Sequence, residues 1–198
     1  YALRHGYLPD PDAFAGMSSR GDVHMGKIPY QTLGLSPDVA KDGFGNPIIY
    51  AVDARVTKNS KKETGFVPLG FSPVVGNPMH ATTNQLHNTA HEREICKIKT
   101  RLKIRDETNR QLVSDEQNVA FVLIGFSSRG MVSGGDISPY VNLSADEVEN
   151  LKAEPVFVHR PPIKSSQGQF RQVVFYETID QLMAYYAKQP CRKVSRGS

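Results

Sequence analysis

Five cations alternate with mostly apolar residues in CKIKTRLKIR, residues 96–105. In an extended chain successive side chains point to opposite faces, so the cations share one face and the other residues share the second. Alternate positions lie about 7 Å apart along a strand, close to the spacing of phosphates along one nucleic-acid strand. The stretch therefore predicts a half-buried strand whose basic face could capture DNA or an acidic glycan. The cations of this basic face are Lys97, Lys99, Arg101, Lys103 and Arg105.

The basic face also has a plainer interpretation. Carboxylates on a neighbouring strand, such as Glu154 or Glu177, would neutralise it and leave an ordinary solvated surface. No aromatic residue lies between the cations, which argues against stacking of single-stranded bases. We favour the solvated surface, and capture of DNA or an acidic glycan stays open as the alternative.

Two other stretches contain residue types used in catalysis. His87 and His91 are four apart in HNTAHE, so a helix would present both imidazoles to a metal, but the glutamate of the zinc-protease pattern is missing between them. Ser127 follows an apolar run in GFSSRG, but Arg129 stands where a nucleophile elbow needs glycine. We therefore expect no enzyme. A metal-dependent envelope enzyme at His87 and His91 is the outside alternative.

The composition is that of a folded domain of ordinary size. The chain has 198 residues, of which 39% are hydrophobic and 22% charged, and its formal net charge is +4. Charge this mild does not argue for nucleic acid by itself. No apolar run of about 18 residues that would span a bilayer occurs. We expect one domain over residues 1–195, followed by a vector remnant at 196–198.

The two cysteines, Cys96 and Cys191, are too few for a cysteine-based metal site. They suit one disulfide in an exported protein or two separate thiols in a cytosolic one. A bridge closing so long a loop would stabilise the fold by roughly 4 kcal/mol on the chain-entropy model.

The helices, strands and loops that would position these residues are predicted from hydrophobic periodicity and from turn-forming and helix-capping residues. Residues 6–47 are rich in glycine and proline and predict a long ordered loop with one helical turn. Ser144, with Glu147 in a capping box, and Thr178 are the expected N-caps of short helices at 143–152 and 179–188. Alternating or continuous apolar stretches predict the strands, and the run at 118–126 is expected to be central. The expected strands are 48–56, 64–71, 96–105, 118–126, 154–159 and 172–177.

These elements predict an α+β domain, with an antiparallel sheet of about five or six strands and few, peripheral helices. In DGFGNPIIYAV, residues 42–52, the question is whether Gly45-Asn46-Pro47 cradles a ligand or begins the sheet. Because an apolar strand follows at once, we interpret these three residues as the corner before a strand.

Five segments, taken in order, resemble the soluble heads of type IV pilin-like proteins and type II secretion pseudopilins. In that family a long N-terminal helix ends in a Gly-Tyr-Leu-Pro-like stretch, a loop follows, and an Asp-x-Trp-Gly-Asn-Pro corner begins the sheet. Phe44 stands where that corner usually has Trp, and Asp10 where related sequences often have Cys. The segments cover about a third of the chain and read ALRHGYLPDPD, GKIPYQTLGL, KDGFGNPIIYAV, NVAFVLIGFSSRG and QFRQVVFYETIDQLMAYY.

The resemblance implies a pilin-like head whose N-terminal helix was removed, since the chain starts at Tyr1 without methionine; residues 1–5 would be that helix's last turn. It implies a structural subunit, a minor pilin or pseudopilin, of a bacterial envelope fibre. The missing helix, processed and methylated as in prepilins, would anchor the subunit in the inner membrane and then pack in the fibre. The partners would be other pilin or pseudopilin subunits and the inner-membrane assembly machinery, and the head would be periplasmic or extracellular.

The resemblance also bears on two sites. An exported head favours a disulfide between Cys96 and Cys191 over two free thiols. Major pseudopilins bind calcium in a loop that corresponds to residues 127–136, where Asp136 would be the carboxylate ligand. One carboxylate is a small ligand set for a cation that takes six to eight oxygens. We therefore expect no cofactor, with calcium at Asp136 as the alternative.

Overall fold

The computed structural model describes residues 1, 7–14, 17, 21–57, 98–126, 143–165 and 168–186. Within them the chain forms a mixed α+β arrangement. The strands are β1 (Val23–Lys27), β2 (Ile49–Asp53), β3 (Lys103–Arg105), β4 (Val119–Gly125), β5 (Val156–Val158), β6 (Ile163–Ser165), β7 (Gly168–Phe170) and β8 (Val173–Thr178). The helices are α1 (Tyr30–Leu33), α2 (Ala145–Glu149) and α3 (Ile179–Tyr186), and a 3₁₀ turn, Ala54–Val56, follows β2.

Four strands form one antiparallel sheet in the order β1-β2-β4-β8. β4 lies inside this sheet between β2 and β8, which confirms the central position that its apolar run predicts. Tyr50, Leu123 and Phe175 are directly opposed across the three strands, so their side chains lie on the same face. A β-bulge shifts the β4–β8 register between Val119 and Phe121.

The predicted antiparallel sheet is confirmed, but among the described residues it has four strands and not five or six. β3 and β5 pair with each other in parallel as a separate sheet, and β6 and β7 form a hairpin. Ile104 and Phe157, opposed in the β3–β5 pair, are fully buried in the main core. β3 therefore covers the sheet and does not extend it. The predicted strand at 64–71 lies outside the described residues.

One face of the four-stranded sheet is covered more thickly than the other. Among the described residues, seventeen buried hydrophobic side chains form the core on the first face, where β3 and β5 pack. Six buried hydrophobic side chains form the cluster on the second face. These six are Leu8, Tyr50, Val52, Val56, Ala120 and Ile179.

β1 lies within the stretch 6–47 that the sequence predicts as a loop, so that prediction was wrong for residues 23–27. The strand contains Gly26 and is followed closely by Pro29, and both residue types indicate turns. Gly26 is buried in the strand because the preceding chain crosses it: a Cβ there would lie 3.0 Å from the Pro11 Cβ. The single predicted helical turn is found as α1, which ends at Gly34 with φ 69°.

Both predicted helix N-caps are confirmed. Ser144 Oγ accepts a hydrogen bond from the Glu147 N–H at 3.3 Å, and Glu147 Oε2 accepts one from the Ser144 N–H at 2.8 Å. Thr178 Oγ1 accepts from the Gln181 N–H at 3.1 Å, and Gln181 Oε1 accepts from the Thr178 N–H at 2.9 Å. α2 is shorter than predicted, ending at Glu149.

Candidate functional site

A continuous apolar surface, here called the apolar face, lies on the thinly covered side of the sheet. It consists of Tyr50, Phe121, Leu123, Val173 and Phe175. Tyr50, Leu123 and Phe175 form one row across β2, β4 and β8. The ring of Phe121 lies diagonally between the two other rings, with its centroid 6.0 Å from that of Tyr50 and 6.5 Å from that of Phe175. The contacts make a single surface that spans three strands.

The apolar face is covered at one side and open at the other. Residues 8–12, here called the strap, pass over β1 and β2, and Leu8 is buried there with Tyr50. Leu182 of α3 packs against the same cluster. Val173 is 58% exposed and Phe175 is 51% exposed. Since contiguous exposed apolar side chains indicate a contact surface, whereas scattered ones do not, this part of the face is a candidate docking site.

The N-terminal residues lie beside this face. The rings of Tyr1 and Tyr7 meet edge to face with centroids 5.8 Å apart, and the Tyr50 hydroxyl donates to the Pro9 carbonyl at 3.1 Å. Burial and a hydrogen bond with Tyr7 raise the pKa of Tyr1 to about 12. Burial also raises the pKa of Tyr50, and the charge of Asp10 adds to the effect. Tyr1 and Pro9 therefore lie near Tyr50.

The sequence did not reveal the apolar face. Val174 is buried, and Val173 and Phe175 on either side of it in β8 are exposed. A strand that is apolar on both faces usually has both faces covered, so the sequence predicts only a short strand here. The signal that could have identified the face is Val173 and Phe175 at alternate positions, on the side opposite to Val174.

The cationic segment, residues 97–105, pairs as a strand only over Lys103–Arg105, so the predicted strand at 96–105 was too long for the described residues. The predicted alternation is nevertheless present, since Leu102 and Ile104 are buried and Lys103 is exposed. Upstream of β3 the backbone is held by side chains: the Arg101 N–H donates to Asp53 Oδ2 at 2.6 Å. This side-chain acceptor takes the place of a strand partner at Arg101.

Carboxylates face two cations of the basic face. Arg101 pairs with Asp22, and Lys103 Nζ lies 3.5 Å from Asp115 Oδ1. A hydrogen bond from Gln111 lowers the pKa of Asp115, and the charges of Lys103 and Lys99 lower it further. The basic face is therefore partly neutralised from within the protein.

Two carboxylates that the sequence did not indicate, Asp22 and Asp115, neutralise cations of the basic face. Asp22 lies in the turn before β1 and Asp115 in the turn before β4. Glu177 is half-buried on β8, where burial raises its pKa, and Glu154 immediately precedes Pro155 and β5. Arg105 donates from Nη1 to Asn109 Oδ1 at 2.7 Å. Alternation determines which side of the segment is basic, but the carboxylates that pair with Arg101 and Lys103 come from turns outside it.

The corner at residues 42–47 is organised by Asp42. Its Oδ1 accepts from the N–H groups of Phe44 and Asn46, both at 2.9 Å, and its Oδ2 accepts from the Phe126 N–H at 2.9 Å. Burial opposes ionisation of this carboxyl, but the hydrogen bonds prevail and lower its pKa. Gly45 has φ 83°, a conformation that favours glycine. These donors bond within the protein, and the corner leads into β2, as predicted.

The remaining predicted site residues lie outside the described part of the chain. Within the described part, no group of three or more His, Cys, Asp or Glu could hold a metal ion. None of the helices described there is long and apolar enough to cross a membrane. The site residues outside it are Cys96, Cys191, His87, His91, Lys97, Ser127 and Asp136.

Comparison with known proteins gave no match: no protein-family model, no curated protein and no solved structure matches the chain.

Proposed function

We propose that this chain is the head of a pilin-like subunit, a minor pilin or pseudopilin, that assembles into a fibre of the bacterial cell envelope through a hydrophobic N-terminal helix. The observation that carries the proposal is the open apolar face beside the N-terminal residues. Val173 and Phe175 are more than half exposed there, whereas the opposite face of the sheet is filled. A helix leading into Tyr7 would bury both side chains.

The dimensions of the apolar face suit a helix. Adjacent strands lie about 4.8 Å apart, so the distance from β2 to β8 is about 10 Å. An α-helix with its side chains is about 10–12 Å in diameter. One side of such a helix would contact Leu123, Val173 and Phe175, and covering the exposed halves of the last two would contribute roughly 1.5–3 kcal/mol. The other side of the helix would remain available for packing with helices of neighbouring subunits.

The proposed role is structural. Before assembly the helix would anchor the subunit in the inner membrane, with the head in the periplasm. After processing by the prepilin pathway the helices would bundle in the fibre and the heads would coat it. The partners would be other pilin or pseudopilin subunits and the assembly machinery. Residues 143–172, which add α2 and β5 to β7 beyond the four-stranded sheet, favour a minor or specialised subunit.

Capture of DNA or an acidic glycan on the same scaffold is the second candidate. The exposure of Lys99, Arg101 and Lys103 on one side of an extended segment supports it. The ion pairs of Arg101 with Asp22 and of Lys103 with Asp115 weigh against it, because a polyanion would have to compete with both carboxylates.

Fractionation of cells that express the complete gene product tests the proposal. We expect a form processed at its N-terminus in the inner membrane, and the same form in fibres released by shearing. Loss of the prepilin peptidase should leave the unprocessed form in the membrane and none in the sheared fraction. A complete protein that lacks a hydrophobic segment before Tyr1, or one that never enters the sheared fraction, would contradict the proposal.

A further inference from the structure

Main-chain hydrogen bonds attach the strap, residues 8–12, to the sheet at both of its ends. At the first end the Leu8 N–H donates to the Val56 carbonyl at 2.8 Å. At the second end the Asp12 N–H donates to the Lys27 carbonyl at 3.0 Å, and the Lys27 N–H donates back to the Asp12 carbonyl at 2.9 Å. The strap therefore spans from the end of β2 to the end of β1.

Two side chains of the sheet hold the middle of the strap. The buried Tyr50 hydroxyl donates to the Pro9 carbonyl at 3.1 Å. His24 Nδ1 lies 2.8 Å from Asp10 Oδ1, which makes a second polar contact on the same face of the sheet. Both contacts join the strap to the sheet beneath it: Tyr50 belongs to β2 and His24 to β1.

Gly26 makes the crossing of the strap over β1 sterically feasible. A Cβ at this position would overlap the Asp12 carbonyl oxygen and would lie 3.0 Å from the Pro11 Cβ. The atoms that such a Cβ would meet belong to the backbone of Asp12 and to the rigid ring of Pro11. Neither can move aside as the end of a flexible side chain could. Any larger residue at position 26 has to displace the strap or β1.

The strap itself is stiff. Pro9 and Pro11 each have φ fixed near −65°, so two of its five residues lose little freedom on docking. Leu8 is the strap residue in the hydrophobic cluster of the second face, and the larger core on the opposite face contains none of the five strap residues. Releasing the strap would therefore expose little apolar surface compared with unfolding the sheet.

We propose that the strap is a latch, which fixes the direction in which the preceding chain leaves the head and which can release while the four-stranded sheet stays folded. Its role in orienting a fibre stem rests on the proposed function. The latch itself is a property of the described head and can be measured there. Release would free the N-terminal chain from Tyr50 without loss of β2, β4 or β8.

Hydrogen exchange measured by NMR on the 198-residue chain tests the latch. In the wild type, we expect the amides of Leu8, Asp12 and Lys27 to exchange faster than the amides of β4, through a local opening. Gly26→Ala should accelerate exchange at these three amides by about tenfold or more and leave β4 as it was. Gly43→Ala is the matched control, because no heavy atom lies within 4 Å of its new Cβ.

Two results would overturn the latch. In the first, the amides of Leu8, Asp12 and Lys27 in the wild type exchange only when those of β4 do, which would mean that the strap opens only when the sheet unfolds. In the second, Gly26→Ala leaves the exchange rates of these three amides at their wild-type values. If Gly26→Ala does not fold, Tyr50→Phe replaces it, since it removes only the hydroxyl that bonds Pro9 and should give the same pattern. If the exchange results support the latch but the complete gene product never enters a fibre, the proposed function is refuted and the latch is not.

Discussion

The carboxylate of Asp42 accepts a hydrogen bond at 2.9 Å from the backbone N–H of Phe126, which lies 84 residues further along the chain. Phe126 is the first residue after β4, and Asp42 opens the corner that precedes β2. The same carboxylate also accepts from Phe44 and Asn46. One side chain therefore fixes the start of one inner strand against the end of its neighbour.

Asp42→Ala should destabilise the fold by roughly 1–3 kcal/mol, because it leaves the N–H groups of Phe44, Asn46 and Phe126 without their acceptor. Urea unfolding of the purified chain measures the change. Asp38→Ala is the control, since Asp38 is exposed and pairs with Lys41 across 3.3 Å, and it should cost less than about 0.5 kcal/mol. Equal effects of the two substitutions would show that the corner does not depend on Asp42.

The stability of the fold should decrease as the pH drops from about 4 to 2, in part because of Asp106. Hydrogen bonds from the Thr108 side chain, and from the N–H groups of Arg110 and Thr108, lower the pKa of Asp106 to about 2. Since the folded pKa lies below the ordinary value of 3.8, the carboxylate stabilises the fold above about pH 4. That contribution is lost as the pH falls through 2.

Asp106→Asn should therefore flatten the acid dependence of stability. The melting temperature, recorded at intervals between pH 5 and pH 2 for wild type and variant, measures the difference. Some slope should remain in the variant because the pKa of Asp42 is lowered as well. The same curve for Asp38→Asn is the control. A variant curve parallel to the wild-type curve would refute the assignment to Asp106.

Phe175→Asp should destabilise the 198-residue chain less than it destabilises the complete gene product. In the 198-residue chain the side chain is half exposed, so we expect a loss of stability below about 1 kcal/mol. If the proposed N-terminal helix docks on the apolar face of the complete gene product, the same substitution there would place a charge under it, and the loss should be larger by roughly 2 kcal/mol. Chemical unfolding of both forms measures this difference.

Phe44→Asp is the matched control for that comparison. Phe44 is also an exposed phenylalanine, at 63%, but it lies at the corner and outside the apolar face. Its substitution should have the same effect on stability in the head and in the complete protein. A similar difference for Phe44 and Phe175 would mean that no segment docks specifically on the apolar face.

The basic face should bind duplex DNA weakly, because two of its cations already form ion pairs with Asp22 and Asp115. Fluorescence anisotropy of a short duplex at low and moderate salt measures the affinity. The DNA-capture alternative is right instead if binding is strong at low salt, falls steeply with salt, and is abolished by Lys99→Glu together with Arg101→Glu. Lys41→Glu is the control for a general effect of charge, since Lys41 is outside residues 97–105 and pairs with Asp38.

The strands and caps that the sequence predicts are those defined by local patterns. The run 118–126 is apolar on both sides, so its central position followed from burial alone. Ser144 and Thr178 are each followed three residues later by Glu or Gln, which is sufficient to define a helix start. These signals involve residues within one turn or one strand of each other.

The features that the sequence did not predict depend on distant partners. Alternation fixes which residues of the cationic segment face the core, but it does not specify whether the partner strand is β5 or a strand of the main sheet. From the sequence alone, Gly26 indicates a turn. In the structure, glycine is required there because the chain at Asp12, fourteen residues earlier, crosses β1 at this point. The apolar face is likewise visible only when β2, β4 and β8 are placed side by side.

Photo-crosslinking from position 175 tests most directly whether a helix docks on the apolar face. A benzoylphenylalanine in place of Phe175 in the complete protein should crosslink, within the same chain, to residues that precede Tyr1, as identified by mass spectrometry. The same probe in place of Lys103, which lies exposed on β3, should not reach them. Crosslinks from position 175 that never include residues before Tyr1 would contradict the account of this protein as a head carried on a helical stem.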